Sequence, residues 1–238
     1  MSKSEIVRFL ILRSIGNFLV LFAIFGVVAT FGPILYYEVL FGIAKFRGVH
    51  YEVAKDLGGQ STFGEILKQQ KISSKTTFGF ADILAGPKEQ ILIPIDTVFD
   101  ILIGKIGANA KVYHNVDPGN PKEFLPILKK GVAHAKGTVF PGQQGNIYLF
   151  AHSTDNFWDV GRYNAVFYLI KDLIPGDEVV IFFQNKRYNY VIRESKIVDP
   201  QDVSYITQSI SGIQQLILQT CWPPGTTWKR LLVLAKPK

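Results

Sequence analysis

The sequence predicts a mainly β protein: a closed or nearly closed barrel with a few short helices, preceded by one transmembrane helix. Three observations carry this expectation. Short apolar runs separated by turn residues recur from Ile91 to the C-terminus, which is the pattern of a barrel. No charged residue occurs between Ser14 and Tyr37, a stretch rich in Phe, Leu, Ile and Val, and about 20 such residues cross a bilayer as a helix. The 238 residues leave about 150 for a folded part once anchor and stalk are set aside, which suits one domain.

Taken in order, the N-terminal run comes first. A secretory signal peptide has an apolar core of about 7–15 residues closed by a small-residue cleavage site. This run is longer, and no convincing site follows it. A buried core helix is the other alternative, but a helix apolar all round suits lipid better than water. Gly26, Gly32 and Pro33 are compatible with a membrane helix. Lys3, Arg8 and Arg13 precede the run, and Lys45, Arg47 and Lys55 follow it, so the positive-inside count is near a tie. The short N-terminal tail and the large C-terminal part favour the N-terminus inside. The expected organisation is a cytoplasmic tail over 1–13, an anchor over 14–37, a stalk or linker over 38–90 and a folded domain over 91–238. Within the stalk, Thr62–Gln70 reads as a short helix, with Thr62 and Glu65 forming a capping box.

Downstream, Pro121–Lys130 reads as a helix with proline in its first turn, and Tyr163–Asp172 as another. Glu178–Phe183 and Tyr188–Arg193 read as a hairpin around Gln184-Asn185-Lys186-Arg187. Ser195–Val198, Gln215–Thr220 and Arg230–Leu234 continue the strand series. The net charge is +7. Its lysines and arginines are scattered, without the basic stripe or motif of a nucleic-acid binder, and attraction to an anionic membrane or cell-wall polymer accounts for the excess. No metal-ligand cluster stands out, and the expected chemistry needs no cofactor.

The chain has one cysteine, so no internal disulfide is possible and the thiol stays free. A lone cysteine is commonly a small buried hydrophobe. Cys221 differs in three ways. It ends the apolar run Leu216–Thr220, the loop Trp222-Pro223-Pro224-Gly225 follows it, and Arg230 opens the returning run Leu231–Leu234. A strand thus delivers a thiol to its end, and the next strand brings a guanidinium beside it. A nearby cation lowers a thiol's pKa from about 8.5 and favours the reactive thiolate. Of the four histidines, His50 and His114 read as surface or loop residues. His134, in Val132-Ala133-His134-Ala135, competes with His152 as the base. His152 follows the buried-strand pattern Asn146–Ala151 and precedes a polar loop, so it leaves a core strand at its end as Cys221 does. A structural strand-end histidine is the alternative.

These segments resemble the sortase family, with a class D/E-like pattern. Thr220-Cys221 with Pro223 and Arg230 is similar to the sortase Thr-Cys pair with an arginine on the next strand. Phe150-Ala151-His152-Ser153 is similar to the histidine segment, Pro175-Gly176-Asp177 to the Gly-Asp turn, and Gly131–Thr138 with Pro141-Gly142 and Gly145-Asn146 also fits. The resemblance runs from about Ile91 to the C-terminus. Two departures stand out: Ile103-Gly104-Lys105-Ile106 has glycine where the family's Ile-Pro-Lys-Ile-like stretch has proline, which predicts a more flexible barrel edge, and Ile217-Leu218-Gln219-Thr220 replaces the more usual Thr-Leu-x-Thr.

The resemblance implies an eight-stranded sortase barrel and a cysteine transpeptidase on the outer face of the cell membrane. It implies Cys221 as nucleophile, His152 as general acid/base, Arg230 as stabiliser of the oxyanion or of the bound peptide, and a structural His134. Thr220 is a candidate for substrate binding, or an ordinary strand residue. The implied partners are secreted proteins with a C-terminal, Leu-Pro-x-Thr-Gly-like sorting signal, an amine acceptor on the cell wall or another protein, and the membrane, but no nucleic acid. Two other readings are a different cell-wall cysteine peptidase or L,D-transpeptidase-like enzyme, the latter with a Gly-Cys-x-Arg-like run that is absent here, and a membrane-anchored β-barrel interaction module without catalysis.

Overall fold

The computed structural model describes residues 3–53, 89–153, 166–207 and 213–238. The apolar N-terminal run forms part of one long helix, α1 (Lys3–Arg47). Within its stretch Lys3–Ala29 an 18-residue window has a mean hydropathy of 2.1 and no buried residue, so the helix is long and apolar enough to cross a membrane. The helix is longer than the expected 14–37 at both ends, because nothing between Glu38 and Arg47 breaks it. It stops at Gly48, whose φ of +68° suits glycine. The Gly48 and Val49 N–H groups donate to the Lys45 and Ala44 carbonyls at 3.1 and 2.9 Å, a Schellman closure.

The expected stalk is partly folded onto the domain. β1 (His50–Val53) pairs in parallel with β2 (Glu89–Leu92), and Tyr51, Val53 and Leu92 pack on Leu102, Val180 and Phe182 of the barrel. The expected helix Thr62–Gln70 lies outside the described residues.

The barrel strands are β3 (Phe99–Ile103), β4 (Ala108–Val116), β5 (Val132–Ala135), β6 (Gly145–Phe150), β7 (Glu178–Phe183), β8 (Lys186–Val198), β9 (Gln214–Trp222) and β10 (Lys229–Pro237). They close in the order β10-β8-β7-β3-β4-β5-β6-β9, the eight-stranded barrel expected. Ile101, Ile147, Leu149, Ile181, Leu216, Leu218 and Val233 fill its interior, and alternate residues face out. The expected hairpin is tighter than its sequence suggests. Only Gln184 and Asn185 lie between the strands, both at positive φ (49° and 62°), a geometry that matches strand twist in a two-residue turn. Helix α2 (Pro121–Leu128) starts at Asn120, whose side chain accepts from the Lys122 N–H at 3.2 Å. The helix expected over Tyr163–Asp172 is a 3₁₀ turn at Tyr168–Asp172, and 163–165 lie outside the described residues.

Strand directions fix two rims. β6 and β9 are parallel and end together, and β10, antiparallel to β9, starts there. Following the pairings round, β8 and β3 end at this rim, and β7, β4 and β5 start there.

Gly104 has a role other than the flexible edge expected of it. It begins a 3₁₀ turn (Gly104–Ile106), and a Cβ there would lie 2.7 Å from the Tyr51 carbonyl oxygen. Glycine is required because β1 seats its backbone on this turn. Gly104→Ala is therefore expected to cost about 1–3 kcal/mol through overpacking and to expose the segment around Tyr51 to protease. Thermal unfolding and limited proteolysis would read this, and unchanged values in both would remove the close approach as a constraint.

Candidate active site

Cys221 is the penultimate residue of β9, and Arg230 the second of β10. The antiparallel register pairs them directly, so their Cβ atoms face the same side about 4.5–5.5 Å apart. The parallel register of β6 with β9 runs to Phe150 opposite Gln219. Continued two residues, it brings His152 level with Cys221, on the same face because side chains alternate. The three residues sit at adjoining strand ends on the outer face of the barrel wall. All three are half-buried, sheltered yet reachable.

Two bonds hold the neighbouring backbones in register. The Ala151 N–H donates to the Gln219 carbonyl at 3.2 Å, and the Thr220 Oγ1 hydroxyl donates to the Ala151 carbonyl at 3.0 Å. Thr220 is 1% exposed and has the same parity as Leu216 and Leu218, so its side chain faces inward. The candidate substrate contact at Thr220 is thus a buried tie between the residue before the thiol and the residue before His152. Arg230 Nη1 donates to the Thr227 and Lys229 carbonyls, both at 3.1 Å, which holds the guanidinium at the start of its own strand.

His134 is fully buried, and its parity places it on the inner side of the wall, away from Cys221. It stacks on Phe140 with ring centroids 4.6 Å apart. Its Nδ1 accepts from the Asn115 N–H at 3.4 Å, and its Nε2 lies 3.0 Å from the Val139 carbonyl, which assigns the proton to Nε2. Burial, opposed by the Val139 bond and assisted by His114, holds its pKa below the ordinary value. These partners suit a neutral, structural imidazole.

The thiol departs from its expected electrostatics. Burial pushes the Cys221 pKa above its ordinary value, and Arg230 offsets only part of that. The spacing reveals the cation but not the desolvation that opposes it. Two further residues share the outer face. Tyr148, two before Phe150 on β6, donates its hydroxyl to Gln219 Oε1 at 3.0 Å. Burial holds that phenol well above its ordinary pKa, with Arg230 pulling the other way. Counting by twos back from His152 and Cys221 would have placed both beside the site.

Three measurements test this geometry. Thr220→Val should lower stability by about 1–3 kcal/mol, the usual cost of leaving a buried partner unpaired, and should impair turnover more than substrate binding; unfolding curves and kinetics report the two effects. Alkylation of Cys221 should show a midpoint above that of an ordinary thiol, and Arg230→Met should move it higher, because the lost cation favoured the thiolate. A fall in that midpoint would contradict the pairing. A lowered folded-state pKa at His134 means the unfolded chain binds the extra proton, so its contribution to stability declines as pH drops from about 6.5. His134→Gln should be less stable at neutral pH and should lack this acid limb in pH-dependent unfolding.

Comparison with known proteins identifies the family and the fold. A family model described as the sortase domain matches residues 101–238. Sortase D of Bacillus subtilis (strain 168) is 30% identical over 137 residues, covering 56% of this chain and 60% of that protein; the match thus spans less than two thirds of that relative. Among solved structures, sortase C-1 from Actinomyces oris superposes with a TM-score of 0.51 at 20% identity, covering 85% of this chain and 98% of that one. Clostridium perfringens sortase C with the C-terminal cell wall sorting motif gives a TM-score of 0.50 at 21% identity, covering 76% and 92%. At these identities the superpositions show a shared fold.

Proposed function

The chain belongs to the sortase family, and from that premise we propose that it is a membrane-anchored cysteine transpeptidase. The reading assigns it secreted proteins with a C-terminal, Leu-Pro-x-Thr-Gly-like sorting signal as substrates, and an amine of the cell wall or of another protein as acceptor. The observation that carries the residue assignment is the direct cross-strand pairing of Cys221 with Arg230, beside the strand end that carries His152.

Cys221 Sγ attacks the carbonyl carbon of the scissile peptide bond as the thiol proton passes to His152. The raised thiol pKa makes this base necessary, because the resting group is protonated at neutral pH. Arg230 donates to the oxyanion of the tetrahedral intermediate. As the C–N bond breaks, His152 returns the proton to the leaving amine, and a thioester remains on Cys221. The acceptor amine then gives a proton to His152 as it attacks the thioester, and the thiol is regenerated. Water in place of the amine gives hydrolysis. Thr220 acts as a positioning residue through Ala151, and its hydroxyl does not contact substrate.

Within this reading α1 is a single-pass anchor with the N-terminus inside and the barrel on the extracellular side. Its apolar stretch and the working side implied by the family support that placement.

The test is mass spectrometry of the full chain in detergent with a sorting-peptide library, with and without an amine. A covalent acyl adduct on Cys221 that the amine resolves is expected, and Cys221→Ala and His152→Ala should abolish it. Arg230→Lys should slow turnover by about 100–1,000-fold, the usual effect of losing an oxyanion donor, since an ammonium cannot reproduce the planar fork. Absence of any adduct from the folded chain would reject the transpeptidase reading.

A further inference from the structure

The last turns of α1 are bound to the barrel at the rim that carries Cys221. Glu38, the first charged residue after the apolar run, accepts from the Tyr168 hydroxyl at 2.7 Å and pairs with Lys171 Nζ at 2.8 Å. Tyr168 and Lys171 belong to the 3₁₀ turn before β7, and β7 starts at the catalytic rim. One helical turn on, Phe41 packs against the barrel's main core. Ala44, Val49 and Tyr51 cluster next, and Tyr51 reaches the Gly104 turn after β3, also at this rim. A half-exposed ion pair contributes little by itself; the apolar contacts of Phe41 and Tyr51 with the barrel supply the larger part of the hold. Helix and barrel are thereby joined at a clasp rather than by a free stalk.

We propose that this clasp stands the barrel on the bilayer with its catalytic rim toward the lipid headgroups. The proposal rests on the reading of α1 as a membrane anchor. The apolar run ends at Tyr37, one residue before Glu38, so the rim begins where the helix leaves the hydrocarbon. Two large apolar side chains on this rim lack cover. Trp228, in the loop between β9 and β10, is 73% exposed, and Ile174, just before β7, is 57% exposed. Tryptophan favours the membrane interface, where its ring meets both acyl chain and headgroup; Val98 and Ile213 at the opposite rim are exposed as well, so the clasp rather than apolar exposure sets the orientation. Lys45, in the last turn of α1, lies at the same end and suits anionic headgroups, whereas Lys229 is paired with Asp199 at 2.6 Å. The surface would hold Cys221 close to the level of the lipid headgroups.

The experiment uses the full chain with Cys221→Ala, which removes its one cysteine. Trp228→Cys, Ile174→Cys, Leu19→Cys on α1 and Lys186→Cys on the opposite rim each carry an environment-sensitive fluorophore. Each protein is reconstituted into vesicles of phosphatidylglycerol and phosphatidylcholine, with a nitroxide-bearing lipid as quencher. Quenching at 19, 174 and 228 but not at 186 is the expected result. Lys171→Glu, which sets two carboxylates against each other, should reduce quenching at 174 and 228 while leaving that at 19. Quenching at 19 with 174 and 228 no different from 186 would overturn the orientation while leaving the anchor intact. No quenching at 19 would overturn both. None of these outcomes depends on whether the enzyme is a transpeptidase.

Discussion

The register of three strands constrains everything else in this molecule. β9 lies between a parallel neighbour, β6, and an antiparallel one, β10. Side chains alternate strictly along each strand, so a slip of one residue at either seam would turn a reacting group into the barrel interior. Cys221 and Arg230 meet because one loop joins their strands. His152 meets them because the parallel pairing of β6 carries a distant segment to the same rim. The inward Thr220 hydroxyl and the Ala151 N–H tie that parallel seam at its last position, where ladder hydrogen bonds give out. The closed barrel supports this arrangement, since closure leaves no free edge along which a strand could slide.

The same alternation separates two histidines that look alike in sequence. His134 and His152 both follow short apolar runs. His134 faces the packed interior and has every ring nitrogen occupied, under conditions that disfavour charge. His152 lies past the end of its strand on the outer side. A buried imidazole with two backbone partners makes a rigid bracket, whereas a half-buried one at a strand end meets solvent.

Much of this was legible in the sequence, and the exceptions have physical causes. The Cys221–Arg230 pairing could be read because both residues flank one Pro/Gly loop, so their meeting depends on local chain reversal alone. The barrel and the α1 helix follow from apolar periodicity, which is also local. Thr220 was ambiguous because its face depends on which side of β9 meets the core, and a short apolar run hides that parity. The close approach at Gly104 was not legible because the group it accommodates, the Tyr51 carbonyl, comes from a segment far earlier in the chain. The thiol's raised pKa was missed for a related reason: the arginine is visible as a letter, and desolvation is a property of the folded surroundings. The docking of Glu38 on Tyr168 and Lys171 joins residues more than a hundred positions apart, and no spacing rule links them.

In the proposed mechanism Cys221, His152 and Arg230 act on one carbonyl from a single outer face. The most direct measurement is a crystal structure of the protein with a sorting-peptide mimic joined through a disulfide to Cys221. The oxygen standing for the scissile carbonyl is expected to accept from the Arg230 guanidinium, with the His152 imidazole on the side of the leaving amine. An oxygen bound by some other donor, with Arg230 still held on the Thr227 and Lys229 carbonyls, would contradict the mechanism.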